Sequence, residues 1–522
     1  MAQPDVVIVG SGINALVCAA LLGKRGKRVL VLEREAEIGG CIRSGEVTAP
    51  GFLHDLMATT FVLFTVGPAH AALGADLARH GVEFTDPQHP TAVLRPDGSA
   101  AVLTRDRAAN RAMLEALAAG DGAGFAAGLD EIEANAGLIF ALLGQGLWTR
   151  KTALMIAREA WRRGPRNLAA FFGEGLSPAR AWLENAFESD TSRALFAPWV
   201  LHTGLSLDSA YSGMMAKVIA FSLEAAGAPI VKGGAGRFLQ AMRAIIEECG
   251  GEIRTGADVA RILGAGGKAT GVELSGGERI AAKHVVASVT PDQLYGRLLD
   301  HPSEQARKAT ASYRYGKGNF QLHYALDAPL KWKVPGLDEV ALIHLTDGLD
   351  AVSKATNEAE RGMLPETPTI CLGQPAALDP SRAPEGKATL WLQMPEAPRH
   401  VKGDAAGRID VPGDGRWTEA LREAYADRIE GLLADHVEGF RETVIARRAY
   451  SPADLESMNV NLVGGDPYGG FCGVDQFFLW RPFKHSVNHA TELRNLWHIG
   501  ASTHPGPGLG GGSGYLVAQG IR

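Results

Sequence analysis

Apolar and polar positions at the start of the chain form two strand-like runs separated by one helical stretch. The run from Asp5 to Val9 is almost entirely apolar, and a second apolar run extends from Val29 to Leu32. Strands that are apolar on both faces are typical of a parallel sheet covered by helices. The stretch between them predicts a helix from about Ile13 to Arg25, and Gly26 is suited to end it. The chain is therefore expected to open with a βαβ unit of a doubly wound sheet.

The turn between the first strand and the helix carries a glycine fingerprint for a dinucleotide. It follows the pattern GxGxxA in the run Gly10-Ser11-Gly12-Ile13-Asn14-Ala15. In such a turn Gly10 allows the tight bend, Gly12 lets the backbone approach a pyrophosphate, and Ala15 lets the helix pack on the strand. The helix N-terminus offers free N–H groups to the phosphates. The second strand leads into Glu33 and Arg34, and the Glu33 carboxylate is expected to accept bonds from the ribose hydroxyls.

Further along, the hydrophobic pattern changes from helices to strands. Residues 105–228 are mostly helical and Ala-rich, whereas residues 312–400 alternate in strand fashion, with Phe320 facing away from Gln321. The glycines at 264–267 favour a hairpin turn over a second dinucleotide site, because their spacing does not match the fingerprint. Without a second fingerprint, no nicotinamide-nucleotide domain is expected.

Composition and charge are those of an ordinary globular protein. The chain has 522 residues, 46% of them hydrophobic, with a net charge of −6 and a pI near 6.2. A basic nucleic-acid-binding surface is therefore not expected. This length exceeds that at which one core usually splits, which predicts two or three interwoven modules. The five cysteines are scattered without a CxxC pair, which predicts a reduced, cytoplasmic location and no metal site. Neither a signal peptide nor an apolar run of about 18 residues is recognised.

A second glycine motif follows the βαβ unit. It consists of a GG pair followed by Arg and Ser in the run Gly39-Gly40-Cys41-Ile42-Arg43-Ser44. This motif resembles the second conserved element of the glutathione-reductase-like flavoproteins. The resemblance implies that the dinucleotide is FAD, that the glycines pass close to its phosphates and ribityl chain, and that Arg43 is the charge partner of its pyrophosphate. The chain departs from the commonest form at Cys41, where an Arg often follows the glycines.

The end of the chain predicts a strand, a glycine-rich turn and a helix. The strand covers Leu496 to Ile499, and the helix begins at about Gly511. Between them the chain reads Gly500-Ala501-Ser502-Thr503-His504-Pro505-Gly506-Pro507-Gly508. This run closely resembles the GA-x-T-H-P-G-x-G segment of the phytoene desaturases and their relatives. The resemblance implies that the flavin is covered by Gly500, Ala501, Gly508, Leu509 and Gly510, and that a helix N-terminus stabilises the C2=O/N1 edge of the reduced flavin.

Internal segments extend the resemblance over essentially the whole chain. Residues 229–262 resemble the family's return into the FAD domain, which implies that Val259 lies near the adenine. Residues 458–482 and 187–195 resemble the phytoene-dehydrogenase-related branch more than the true carotenoid desaturases. The implied fold class is α/β, with a glutathione-reductase-type FAD-binding Rossmann-like domain, an interwoven α+β substrate domain and a helical subdomain. The expected boundaries are 1–75, 229–300 and 461–522 for the FAD-binding parts, 76–228 for the helical substrate region and 301–460 for the substrate sheet.

The resemblance implies an FAD-dependent oxidoreductase, in which the cofactor carries the redox chemistry. A desaturase or dehydrogenase of a lipophilic, polyene-like or aromatic small molecule is favoured, with oxygen or a quinone as electron acceptor. A flavin amine or alcohol oxidase, a flavin-dependent isomerase or saturase, and an FAD-containing interaction protein remain alternatives.

Oxidation of this kind also requires removal of a proton. Five side chains near the flavin motifs are candidates for it: His54, Asp55, Asp466, Tyr468 and His504. Structural roles compete with this chemistry, because Asp55 is suited to cap a helix, Asp466 to form an Asx turn before a proline, and His504 to orient the C-terminal turn.

One helical stretch mixes apolar, aromatic and basic residues. It extends from Gly137 to Arg163 and includes Trp148 and Trp161 among lysine and arginine residues. Such a mixture is typical of an interfacial anchor, and it also fits two helices that pack on the protein or on a second copy of the chain. Peripheral membrane contact and homo-oligomerisation both remain open.

Overall fold

The computed structural model describes residues 3–522, and its strands form two large sheets and three small ones. In chain order the strands are β1 (Val6–Val9), β2 (Val29–Leu32), β3 (Ser44–Gly45), β4 (His54–Asp55), β5 (Thr91–Leu94), β6 (Ala100–Leu103), β7 (Glu252–Arg254), β8 (Val259–Ala265), β9 (Lys268–Leu274), β10 (Arg279–Ala281), β11 (His284–Ser288), β12 (Gly318–Leu326), β13 (Leu342–Leu345), β14 (Met363–Leu364), β15 (Ile370–Gly373), β16 (Ala388–Ala397), β17 (Gly403–Asp404), β18 (Val444–Tyr450) and β19 (Leu496–Ile499).

Helices pack on one face of the parallel sheet, the small sheet β8–β10 packs on its other face, and further helices form a separate layer in the middle of the chain. In chain order the helices are α1 (Ile13–Lys24), α2 (Val62–Thr65), α3 (Pro68–Arg79), α4 (Arg107–Leu117), α5 (Asp121–Gly144), α6 (Arg150–Arg163), α7 (Pro165–Gly175), α8 (Ala179–Ala186), α9 (Asp190–Phe196), α10 (Ser212–Ala226), α11 (Ala235–Glu248), α12 (Glu304–Ala311), α13 (Leu349–Glu360), α14 (Pro375–Leu378), α15 (Glu419–Ala434), α16 (Phe440–Thr443), α17 (Pro452–Met458) and α18 (Gly512–Gly520). Shorter 3-10 and π turns occur at Ala197–Thr203, Asp292–Leu298, Pro380–Arg382, Val463–Gly465 and Phe478–Trp480.

The first large sheet is entirely parallel and has the strand order β19-β11-β1-β2-β7. Its strands come from three distant parts of the chain, and β1 lies at the centre, with Val7 opposite Leu30 on one side and Val285 on the other. Helix α1 is buried along almost its whole length because α11 and α18 both pack on it. The predicted βαβ unit and the Rossmann-like fold class are confirmed.

The second large sheet has the order β18-β12-β16-β15-β13-β5-β6 and is antiparallel except for the pair β13–β5. Phe320 and Leu322 of β12 pack against α15 in a hydrophobic core, as their alternation with Gln321 predicts. Strands β5 and β6 join this sheet although they precede the helical region. The sheet is therefore built from residues 91–103 as well as from residues 318–450.

Helices α4 to α10 form the predicted helical subdomain beside this sheet. Its core contains Phe125, Leu183 and Phe196, whereas α6 has one buried residue, Thr152. Within residues 3–522, no helix combines the length and the apolar character needed to cross a bilayer.

The glycines at 264–267 form the turn of the β8–β9 hairpin, as predicted, with Gly266 and Gly267 at positive φ. Helix α11 begins at Ala235, whose N–H donates a hydrogen bond to the Asp55 carboxylate at 2.9 Å.

Candidate functional site

The glycine turn after β1 leaves an open space at the N-terminus of α1. Gly10 has φ +89°, and its N–H donates to the Leu32 carbonyl oxygen at 2.8 Å. A Cβ at Gly10 would lie 3.0 Å from the Ser288 carbonyl oxygen. Gly12, by contrast, has φ −64°, and a Cβ there would meet no heavy atom within 4 Å. Gly10 thus meets a constraint of the protein itself, whereas Gly12 keeps space free for something that is not protein.

Glu33 holds the fingerprint turn and faces the same space. Its Oε2 accepts hydrogen bonds from the Ser11 N–H at 2.9 Å and the Ser11 hydroxyl at 2.6 Å, and its Oε1 accepts from the Glu35 N–H at 3.0 Å. The Ser11 hydroxyl in turn accepts from the Gly39 N–H at 3.0 Å. The predicted ribose-binding carboxylate therefore also links the two glycine motifs.

The second glycine motif brings an unpaired cation to the space. Gly40 has φ +60°, and a Cβ there would lie 3.1 Å from the Gly12 Cα, so the two motifs pack backbone to backbone. Arg43 is half-buried, and its buried Nε has no hydrogen-bond partner. Within residues 3–522, no carboxylate lies in ion-pair distance of Arg43. A guanidinium in this state is suited to bind an anion such as a pyrophosphate.

Cys41 contributes a neutral thiol beside Arg43. Its Sγ accepts a hydrogen bond from the Asn459 side chain at 3.4 Å. Burial raises the pKa of the Cys41 thiol to about 11, so it stays protonated at neutral pH.

The C-terminal segment is attached directly to the N-terminal fingerprint. The Asn14 Oδ1 accepts hydrogen bonds from the Ser513 N–H at 3.2 Å and from the Ser513 hydroxyl at 2.8 Å. The Ser513 oxygen accepts from the Gly500 N–H at 3.0 Å. A Cβ at Gly514 would lie 1.8 Å from the Asn14 carbonyl oxygen, so only glycine lets α18 approach α1 this closely. The opening and closing motifs thus form one unit.

These motifs line one continuous cavity of about 850 Å³. All of the predicted cofactor-binding residues except Ala15 and Ser44 contribute to its wall: Gly10, Ser11, Gly12, Ile13, Asn14, Glu33, Arg34, Gly39, Gly40, Cys41, Arg43, Val259, Gly500, Ala501, Gly508, Leu509 and Gly510. Ala15 is fully buried within α1, and the Ser44 hydroxyl donates to Asp55 at 2.5 Å.

The two ends of the cavity differ in chemistry. Charged side chains lie at the predicted nucleotide end, where Glu33, Arg34, Asp258 and Arg297 line the wall together with Val259. The other end lies between the second sheet and the helical subdomain and is mostly apolar and aromatic. Its walls include Leu63, Phe140, Leu143, Trp199, Met215, Ile219, Leu342, Trp391 and Phe477.

Four of the five proton-transfer candidates do not line this cavity. His54 is buried beside His323 with ring centroids 5.3 Å apart, and burial lowers its pKa to about 4. Asp55 accepts from the Arg382 guanidinium at 3.0 Å as well as from Ala235, so it caps α11 within a buried ion pair.

Asp466 and His504 organise loops around the cavity. The Asp466 carboxylate accepts backbone N–H groups of Gly316 at 2.8 Å, Tyr468 at 2.7 Å and Gly470 at 3.0 Å, which includes the expected Asx turn. Burial raises the pKa of Asp466. His504 faces a separate small pocket, and its Nε2 bonds the Gln145 carbonyl oxygen at 2.9 Å.

Tyr468 is the one candidate that lines the cavity. Its hydroxyl donates to the Leu201 carbonyl oxygen at 2.6 Å, and burial raises the pKa of the phenol well above 10. Its proton is thus held by a backbone acceptor, which favours a role in shaping the cavity wall.

Sequence patterns missed several polar residues of the apolar end. Asn319, Gln321 and Gln393 project from β12 and β16, and His202 from the turn after α9. His202 and His344 approach with their Nε2 atoms 3.0 Å apart, and burial lowers the pKa of His202 to about 4. The alternation in β12 was the only sequence feature that indicated Gln321, and no motif indicated the other three residues.

Comparison with known proteins found one matching domain profile and several relatives that are similar over nearly the whole chain. The profile of an NAD(P)-binding Rossmann-like domain matches residues 8–77. The mouse pyridine nucleotide-disulfide oxidoreductase domain-containing protein 2 is 26% identical, covering 99% of this chain and 92% of the mouse protein. A limonene dehydrogenase component of Castellaniella defragrans is 25% identical over 99% of this chain and 94% of its own. A zeta-carotene-forming phytoene desaturase of Myxococcus xanthus is 27% identical over 97% of this chain and 90% of its own.

Solved structures share the fold over nearly the whole chain. An oxidoreductase from Methanosarcina mazei has a TM-score of 0.60 at 17% identity and covers 99% of this chain and 100% of its own. A putrescine oxidase variant redesigned in cofactor binding has a TM-score of 0.62 at 15% identity, covering 99% and 98%. The predicted fold class and the predicted resemblance to phytoene desaturases are confirmed.

Proposed function

We propose that this chain, which is related over its full length to phytoene desaturases and allied oxidoreductases, is an FAD-dependent oxidoreductase of a lipophilic small molecule. The observation that carries the proposal is the single cavity that extends from the glycine motifs to an apolar chamber. A cofactor stretched along one part and a substrate in the other would share one enclosed space. Hydrophobic enclosure and fixed positioning are what such chemistry needs from a protein.

The residues at the nucleotide end fit FAD. The open face of Gly12, the orphaned Nε of Arg43 and the buried Glu33 carboxylate match a backbone approach, a pyrophosphate and ribose hydroxyls, respectively. When bound, FAD supplies the acceptor for the hydride that leaves the substrate. The protein's own contribution is to hold the cofactor through Gly12, Glu33 and Arg43, to close the site with α18 and to exclude water.

Proton removal does not require any of the buried candidates to act directly. His54, Asp55, Asp466 and His504 all have protein partners and lie behind the cavity wall. We propose that they hold the wall in place, that the apolar chamber orients the substrate, and that a water molecule accepts the proton released by the substrate. The electron acceptor is proposed to be oxygen or a quinone.

The first test uses the open space at Gly12. A Gly12→Val variant adds a side chain where no protein atom lies within 4 Å, so the fold is retained while the pyrophosphate position is filled. A matched control is Gly276→Val, which is equally open and does not line the cavity. We expect wild type and control to purify yellow or to turn yellow with added FAD, and the Gly12 variant to stay colourless.

The second test concerns the reaction. FAD-loaded protein is mixed anaerobically with isoprenoids, amines and aromatic metabolites, and the visible flavin band is followed. Bleaching by a lipophilic isoprenoid or aromatic compound supports the proposal, whereas bleaching by small amines with peroxide release in air favours an amine oxidase. Wild-type protein that does not retain FAD would refute the proposal altogether.

We also propose that the protein docks on an anionic membrane surface through α6. Leu154 is 72% exposed and Trp161 is 89% exposed on this helix, beside the exposed cations Arg150, Lys151 and Arg158. Apolar side chains for the acyl boundary and cations for lipid headgroups are the two components of an interfacial anchor. Phe140 at the end of α5 is 40% exposed and also lines the cavity, so this face adjoins the chamber.

Vesicle sedimentation tests this docking. We expect wild-type protein to sediment with vesicles that contain phosphatidylglycerol and much less with pure phosphatidylcholine. The double variant Leu154→Ser/Trp161→Ser should remain in the supernatant, whereas Val474→Ser, at an exposed position outside α6, should behave as wild type. Equal binding by wild type and the double variant would exclude α6 as the contact.

A further inference from the structure

Polar side chains form a row across the sheet that covers the apolar chamber. In direct register across β13, β15, β16 and β12 lie His344, Cys371, Gln393 and Gln321. Alternate residues of these strands face the opposite side, where Phe320, Leu322, Ile343 and Leu372 form a hydrophobic core. The row therefore belongs to the chamber face of the sheet, and Gln321 and Gln393 line the cavity itself.

Two amides of this face have no protein partner. Asn319 and Gln321 are 3% and 4% exposed, and the Asn319 Oδ1 and Gln321 Oε1 are fully buried without a hydrogen bond. Among the hydrogen bonds of residues 3–522, none involves either side-chain amide. A buried polar group left unpaired costs about 1–3 kcal/mol. The hydrophobic core contacts of β12 are made by Phe320 and Leu322 on its other face, and they give the two amides no hydrogen-bond partner.

No charged residue of the second sheet or of the helical subdomain lines the cavity. The charged residues in its wall come from the segments of the glycine motifs and from the region around Val259: Glu33, Arg34, Glu35, Glu37, Arg43, Asp258 and Arg297. His202 lines the chamber and is neutral, since burial lowers its pKa to about 4. A charged substrate group would remain unpaired here at a high energetic cost.

From these observations we propose that the substrate is a neutral, mostly apolar alcohol whose hydroxyl group is bound by Asn319 and Gln321. This inference rests on the proposed function and specifies its substrate class. Each side-chain amide can present its NH2 group or, after a flip, its oxygen to the chamber; a hydroxyl can pair with either, whereas a pure hydrocarbon pairs with neither. An ammonium group would need a carboxylate and a carboxylate would need a cation, and the residues of the chamber provide neither.

The test compares molecules that differ by one hydroxyl group. The pairs are limonene with perillyl alcohol, and β-carotene with β-cryptoxanthin. Each is titrated into FAD-loaded protein, and the change of the visible flavin band gives a dissociation constant. We expect the alcohol of at least one pair to bind about tenfold more tightly than its hydrocarbon, the size of one or two added hydrogen bonds.

Two variants assign the preference to the amides. Gln321→Met and Asn319→Leu keep the side-chain volume and remove the acceptors, and each should reduce the alcohol preference to less than about threefold. Leu322→Met, on the opposite face of the same strand, should keep the wild-type preference. Because unpaired amides do not stabilise the fold, the two variants should unfold at the same temperature as wild type or higher.

Each other outcome has a distinct meaning. Yellow protein with no preference for the alcohol in any pair would overturn the inference and leave the proposed function standing. A lower unfolding temperature, or loss of FAD, in Gln321→Met or Asn319→Leu would also overturn it, because the amides would then serve the fold or the cofactor. Colourless wild-type protein would instead refute the proposed function.

Discussion

Asn14 is the residue on which we expect the cofactor site to depend most directly, because its side chain joins the two ends of the chain. Replacing Asn14 by Ala removes the oxygen that accepts from the Ser513 N–H at 3.2 Å and from the Ser513 hydroxyl at 2.8 Å. Ser513 is 1% exposed, so water cannot replace the lost acceptor. The first turn of α18 then has buried donors without partners.

The magnitude follows from these contacts. Each buried donor left unpaired costs about 1–3 kcal/mol, so two donors predict a loss of about 2–6 kcal/mol. With an unfolding entropy that scales with chain length, this corresponds to a fall in Tm of about 2–5 °C. If binding of FAD has to re-form the first turn of α18, and this takes about half of the lost free energy, the dissociation constant of FAD rises about 10- to 100-fold.

The assay combines thermal unfolding with release of FAD during repeated ultrafiltration. The matched control is Asn167→Ala, which removes an exposed amide that does not line the cavity. We expect Asn14→Ala to lose FAD and Asn167→Ala to retain it. If Asn14→Ala matched wild type in both Tm and FAD retention, the link between the two motifs would not be needed for the site.

Three further predictions concern the groups behind the cavity wall. Arg382→Met leaves the Asp55 carboxylate buried without its cation, and we expect a loss of about 3–5 kcal/mol in the free energy of unfolding, measured by urea titration. Burial lowers the pKa of His498 from 6.5 to about 4, so the unfolded state binds a proton that the folded state does not. Stability should therefore fall as the pH drops from about 6.5 to about 4, by about 1.4 kcal/mol per pH unit for such a histidine, and the fall should be shallower in His498→Gln. Asp466→Ala should lower Tm and slow flavin reduction together, because the loop that carries Tyr468 loses three backbone hydrogen bonds.

Each of these three predictions has a control variant or a result that would contradict it. Lys308→Met breaks an exposed ion pair with Glu304 and should cost less than about 0.5 kcal/mol, so an equal effect for Arg382→Met would refute the importance of burial. An unchanged pH profile in His498→Gln would exclude that histidine as a source of acid sensitivity. Asp466→Asn keeps two acceptor bonds at one oxygen, and if it lost flavin reduction while keeping wild-type Tm, Asp466 would have a chemical role after all.

The sequence alone was sufficient to predict the local geometry of the opening glycine turn and of the carboxylate beside it. Gly10, Gly12 and Glu33 are neighbours through one strand-turn-helix-strand unit, so their spacing in the chain sets their spacing in the structure. The same holds for the closing strand and helix around Gly500 and Gly512. Local geometry of this kind is fixed by backbone conformation within a short segment, which is why a motif can report it.

Only the tertiary structure decided which side chains face the apolar chamber. His54 and Asp466 stand next to flavin motifs in the sequence, but packing turns both toward protein partners. Asn319, Gln321 and Gln393 were left unmarked, because their position over the chamber depends on the register between β12 and β16 and on which face the helices cover. Register and burial arise from contacts between distant segments, and no pattern within one segment contains that information.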